Sequence, residues 1–124
     1  MSFDLTIKGD KHYSRTTERA PLASFVSQLP RIKPNGTRGF ALDDPPKVWM
    51  EIDLEVVSRN GDNVEVEGQV SESINCLRLH IPYSFLKSGS LEHDYLPIAI
   101  MIVDRLGWQL YDDQNDDPDE PMYP

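Results

Sequence analysis

One segment limits the fold more than any other. Over residues 48–57, Val48, Met50, Ile52, Leu54 and Val56 alternate with Trp49, Glu51, Asp53, Glu55 and Val57. Successive side chains of a strand point to opposite faces, so this pattern describes a strand with one face in a core and the other in water. Arg59-Asn60-Gly61 follows and reads as a three-residue hairpin loop with Gly61 in the left-handed region. That register sets Val56 opposite Val64 and Leu54 opposite Val66, so the apolar faces coincide. A two-residue Asn60-Gly61 turn would pair Val56 with Glu65 and mix the faces. The preferred register places Glu55 opposite Glu65, a like-charge pair of small cost.

The remaining segments supply neighbours for that strand. Phe3, Leu5 and Ile7 alternate with Asp4, Thr6 and Lys8, which is a second half-buried strand. Leu22, Phe25, Val26 and Leu29 recur at helical spacing, with Pro21 in the first turn and Pro30 just beyond the end. Residues 30–38 read as a loop around Pro34-Asn35-Gly36, and residues 39–42 as a short strand ended by Asp43-Asp44-Pro45-Pro46. Leu77, Leu79, Ile81 and Tyr83 mark another strand, with Cys76, Arg78, His80 and Pro82 on its reverse. Residues 84–90 read as a loop. Residues 95–106 form a helix that is apolar nearly all round, with Asp94 as its N-cap, Pro97 in its first turn and Gly107 as its C-terminal cap. Trp108, Leu110 and Tyr111 give a last short strand.

The expected fold class is therefore α+β, in the order β-α-β-β-β-β-α-β with the hairpin return counted as a strand. A mainly antiparallel sheet carrying two helices on one face buries all of these stripes, and gives an elaborated ferredoxin-like plait. The 124 residues suit one domain, here residues 1–111. Residues 112–124 hold six acids, no base and three prolines, and read as a disordered acidic tail.

Charge narrows the function classes. Residues 1–40 hold seven basic and three acidic side chains, whereas residues 41–124 hold five basic and eighteen acidic ones. The net charge of −9 opposes binding to phosphate backbones, so no nucleic-acid partner is expected; a basic protein partner is, or a surface whose acids serve solubility. The longest apolar run, residues 98–103, is far short of the roughly 20 residues that cross a bilayer, so no membrane association is expected. The first residues read as a strand and not as an export signal. With a single cysteine, Cys76, this gives the expectation of a reducing, cytoplasmic compartment.

No motif for chemistry emerges. His12, His80 and His93 lack ligand spacing, so no metal site or cofactor is expected. Asp113, Asn115 and Asp117 start like a calcium loop, but Pro118 stands where that loop needs glycine. Cys76 reads as a small buried side chain. What remains is a carboxylate ridge. Glu51, Asp53 and Glu55 share one strand face at roughly 7 Å intervals, with Glu65 and Glu67 extending it and Arg78 and His80 beside it. A solvated sheet face gives the same alternation. With Trp49 adjacent, the set Trp49, Glu51, Asp53, Glu55, Glu65, Arg78 and His80 also suits a basic protein partner, because acids steer approach and aromatics anchor. Arg31, Lys33 and Arg38 cluster in the first long loop, where they either hold a phosphate or pair with the acidic body.

The opening Met1-Ser2-Phe3-Asp4-Leu5 and the closing Leu106-Gly107-Trp108-Gln109-Leu110-Tyr111-Asp112-Asp113-Gln114 resemble short bacterial proteins, some of which are similar to the immunity proteins of polymorphic toxin systems. That resemblance implies a small acidic cytosolic protein that is not an enzyme and neutralises a cognate toxin domain by binding it. It assigns no functional residue. Two alternatives stay open. One is an oligomeric structural or accessory subunit, for instance a homodimer formed through the apolar helix or a sheet edge. The other is a small-molecule-binding plait using Arg78, His80 and the carboxylates.

Overall fold

The alternating segment becomes β5 (Val48–Glu55), a central strand of a six-stranded antiparallel sheet. The computed structural model describes residues 2–36, 39–65, 70–117 and 119–123. The other strands of this sheet are β1 (Ser2–Lys8), β3 (Ile32–Asn35), β4 (Gly39–Asp44), β7 (Cys76–Pro82) and β8 (Gln109–Asp112), in the order β3-β4-β5-β7-β1-β8. A separate two-stranded ribbon joins β2 (Thr17–Glu18) to β6 (Ser73–Ile74).

All the apolar stripes meet on one side of the sheet. Met50, Ile52 and Leu54 of β5, Leu77, Leu79 and Ile81 of β7, and Leu5 and Ile7 of β1 are buried there together. Helix α1 (Arg19–Ser27) adds Leu22 and Val26, and helix α3 (Leu96–Leu106) adds Ile98, Ala99, Ile102 and Val103. The Arg105 guanidinium stacks on Phe25, 5.3 Å from its ring centre, which ties α3 to α1. The helices therefore share one face and leave the other face of the sheet open.

Several expectations hold in detail. Gly61 takes φ +88, Ser58 N–H donates to Asp62 O at 2.8 Å, and Val64 N–H donates to Val56 O at 2.9 Å, as the three-residue loop requires. Gly107 caps α3 at φ 66, and Pro97 lies in the first turn.

Other expectations are corrected. Among the described residues the hairpin return is not a full strand: its ladder there is a single bridge, Val57 to Asn63. β4 pairs with β5 only as far as Asp53, and beyond it the Leu54 carbonyl accepts from the Arg19 guanidinium at 3.2 Å. The proposed pairing of Leu54 with Val66, and Glu67, lie outside the described residues. The first long loop contains β3, whose Pro34 is tolerated because β3 is an edge strand. The loop after β7 contains helix α2 (Tyr83–Ser88), too short to show a helical period in sequence. Among the described residues there are thus three α-helices where two were expected. Asp94 does not start α3. It belongs to a turn of π-helix (Leu91–Tyr95) that feeds into α3, where the Ser90 hydroxyl accepts the His93 N–H at 3.1 Å and the Asp94 carboxylate accepts the Ser90 N–H at 2.8 Å.

The acidic tail also differs from expectation. Leu110 N–H donates to Tyr123 O at 2.9 Å and Met122 N–H donates to Leu110 O at 2.8 Å, so the chain returns to cover the outer edge of β8. The Tyr123 side chain packs against the core, which an acid count could not reveal.

Candidate functional site

The open face of the sheet is built by the second half of each alternating pattern. Strand β5 sends Trp49, Glu51, Asp53 and Glu55 to it, all half-buried. The register with β7 sets Glu51 beside His80 and Asp53 beside Arg78. The register of β7 with β1 sets His80 beside Asp4 and Arg78 beside Thr6. Asp4, Glu51, Asp53, Glu55, Arg78, His80 and Asp113 line a cleft of about 340 Å³ whose floor includes Leu5 and Leu79.

Contacts inside the cleft are polar and specific. Arg78 Nε donates to Glu55 at 2.9 Å, and its Nη2 donates to the Gly61 carbonyl of the hairpin loop. His80 Nδ1 lies 2.8 Å from Asp4 Oδ1. Thr6 Oγ1 donates to Asp113 at 2.7 Å, and Asn35 Nδ2 lies 3.4 Å from Glu51 Oε1. Among the described residues lining the cleft, five carboxylates face one arginine and one histidine.

One end of the face is closed. Lys8 reaches between two tyrosines, 4.2 Å from the Tyr13 ring centre and 4.5 Å from that of Tyr111. The Asn75 side chain fastens the covering segments, donating to Tyr13 O at 3.2 Å and Val57 O at 2.9 Å while accepting from Val57 N–H at 2.8 Å. Burial pushes the Lys8 ammonium below its usual range. Cys76 is wholly buried beneath this cover, and burial pushes its thiol up to about 12, where it is inert as a nucleophile at neutral pH.

Six of the seven residues singled out in the sequence therefore share the open face: Trp49, Glu51, Asp53, Glu55, Arg78 and His80. Glu65 does not. Its carboxylate pairs with Arg19 at 2.9 Å, and its side chain is 1% exposed. Arg19 thus offsets its charge, which still pushes Glu55 upward. Asp4 and Asp113 were missed. Asp4 was legible in the period-two pattern of β1, but only the strand order places it beside His80. Of the basic loop, Arg31 binds Asp44 at 3.0 Å and Asp94 at 3.3 Å, and Lys33 lies 3.5 Å from Asp43. Arg38 lies outside the described residues. Among the described residues no group of three His, Cys, Asp or Glu side chains is placed to hold a metal ion.

Three cleft acids, Asp53, Glu55 and Asp113, differ from Glu65 in titration. Burial raises Asp53, helped by the Glu51 charge. Burial also raises Glu55 against the pull of Arg78, and raises Asp113 against the Thr6 hydroxyl. Glu65 moves the other way: burial pushes it up, but the Ser71 N–H and Arg19 outweigh this and hold it below the usual range. An acid raised on folding takes up a proton as the chain folds, so its cost to the fold disappears as pH falls through the raised value. An acid lowered on folding contributes stability above its unfolded value and loses it as pH falls through the lowered one. Melting temperature is expected to rise as pH falls into the range of the raised acids, then to fall below about pH 4, the ordinary carboxylate range. Glu65→Gln is expected to flatten that acid limb, as melting curves across the pH range would register.

No protein-family model, curated protein or solved structure matches the chain. Among the described residues no helix is long and apolar enough to cross a membrane.

Proposed function

We propose that this chain is a non-catalytic protein-binding protein of the immunity type, which neutralises a basic toxin domain by docking it on the open face of the sheet. The observation that carries this reading is the excess of carboxylates in the cleft, four of the five half-buried and on strands, with Trp49 on the same face. Acids held on strands keep their geometry better than acids on loops, and acids already partly out of water are desolvated more cheaply by a partner. The strands β8-β1-β7-β5 with α1 and α3 in the intervening connections follow the alternating order of a ferredoxin-like plait, and β3-β4 extend it at one edge. In this reading the helical layer is the scaffold and the sheet is the recognition surface.

The test is the binding kinetics with a basic protein partner captured from the native host, or with a basic toxin domain if one is encoded beside this chain's gene. The Debye length shrinks from about 30 Å at 0.01 M salt to about 10 Å at 0.1 M, so association is expected to slow steeply over that range. Replacing Glu51, Asp53 and Glu55 together with Gln is expected to slow association by about tenfold or more at low salt. Trp49→Ala is expected to act on dissociation, with a loss of about 2 kcal/mol if Trp49 anchors the interface. Binding indifferent to salt and to the triple replacement would remove the sheet face from consideration.

A second reading rests on the same cleft. Its volume of about 340 Å³ falls within the range of small-ligand sites, which makes a small cationic metabolite the rival occupant. Neutralisation of the adjacent domain's toxicity in cells favours the first reading; saturable binding of a small cation with no effect on toxicity favours the second.

A further inference from the structure

The β1–β8 ladder ends in an unusual way. Its pairs run from Lys8 with Gln109 to Leu5 with Asp112, so the next pair is Asp4 with Asp113. Half of that pair forms in the ordinary manner: Asp113 N–H donates to Asp4 O at 3.2 Å. The chain then turns away, and the other half is made by a side chain. Gln114 Oε1 accepts the Asp4 N–H at 2.7 Å, and Gln114 Nε2 donates to Asp4 O at 2.9 Å. The Asp112 carboxylate holds this amide in place, accepting the Gln114 N–H at 2.9 Å and the Gln114 side-chain amide as well. Every polar group of the Gln114 side chain is thereby used.

Asp4 is the residue whose carboxylate meets His80 and forms one wall of the cleft. We propose that Gln114 is the positioning residue of that wall: its amide completes the β1–β8 ladder at Asp4 and sets the carboxylate geometry that a cationic partner meets. The inference rests on the cleft being the binding face. It adds that the segment after β8 belongs to the binding apparatus through hydrogen-bond geometry and not through charge.

Two measurements test it, with an octa-arginine peptide as the probe. In Gln114→Ala the Asp4 amide is expected to exchange with solvent at least about tenfold faster, while the amide of Leu77 is unchanged. Affinity for octa-arginine is expected to fall about fivefold, the equivalent of one lost hydrogen bond, at constant net charge. Gln114→Glu separates geometry from charge. It adds an acid near an acidic cleft, so pure electrostatics predicts tighter binding. A carboxylate there loses the donor to Asp4 O and faces Asp112, so positioning predicts weaker binding. Tighter binding by Gln114→Glu, or unchanged Asp4 exchange in Gln114→Ala, overturns the inference. If the unaltered protein ignores octa-arginine at low salt, the acidic-face reading fails instead, and the Asp4 exchange rate alone decides the role of Gln114.

Discussion

Replacing Arg19 with alanine is expected to cost about 3–5 kcal/mol of folding free energy, the usual penalty for orphaning a buried ionic partner. The Arg19 side chain is 10% exposed and Glu65 is 1% exposed. The guanidinium donates to both Glu65 oxygens at 3.1 and 2.9 Å, to Ser71 O at 2.6 Å and to Leu54 O at 3.2 Å. One side chain therefore joins the start of α1, the end of β5 and the two flanks of residues 66–69. Among the described residues, alanine leaves the buried Glu65 carboxylate with Ser71, whose N–H donates to it at 3.0 Å. The double variant Arg19→Met with Glu65→Leu is expected to recover most of the loss, because it removes both charges and keeps the volume. Denaturant titration of the two variants measures this. A cost below about 1 kcal/mol for Arg19→Ala would mean that Glu65 is solvated and the pair is a surface contact.

Ile102→Ala is expected to cost about 2–5 kcal/mol, the range for emptying a fully packed aliphatic site. Ile102 is wholly buried against the sheet, whereas Met101 beside it is 43% exposed. Met101→Ala is therefore the internal control, expected within about 0.5 kcal/mol of the parent, because exposed positions contribute little and alanine suits a helix. Equal losses at the two positions would show that α3 presents a different face to the core.

The period-two patterns of β1, β5 and β7 carried their faces into the structure over residues 3–8, 48–55 and 76–82, because one residue of slip would reverse every side chain, whereas Tyr83 left its expected strand to start α2. The hairpin geometry at Gly61 was legible for the same reason. What the sequence hid is non-local. Strand order, which brings Asp4 to His80, depends on connections and not on any single segment. Glu65 looked like another member of an alternating ridge, since nothing near it announces that Arg19 waits 46 positions away. The composition of the tail suggested disorder, and the contacts of Asp113, Gln114, Met122 and Tyr123 contradict it. Helix α2 was missed because six residues are fewer than two helical turns.

The two edges of the sheet carry a consequence for how this protein can change over evolutionary time. Asp43 N–H donates to Arg31 O at 2.9 Å, so Arg31, Lys33 and Asn35 turn their backbone toward β4, leaving Ile32 and Pro34 to face outward. Pro34 has no N–H, and that of Ile32 is engaged by Leu29 O at 3.3 Å. At the opposite edge, Leu110 is engaged by Tyr123. Neither edge offers a ready run of backbone donors to a foreign strand. Recognition on the sheet then falls to side chains on the open face, at alternate positions that carry little of the core. Scaffold and surface are thus written on interleaved residues of the same strands. Lineages can rewrite the odd-numbered positions of β5 one residue at a time, shifting what the face accepts, while Met50, Ile52 and Leu54 keep the fold.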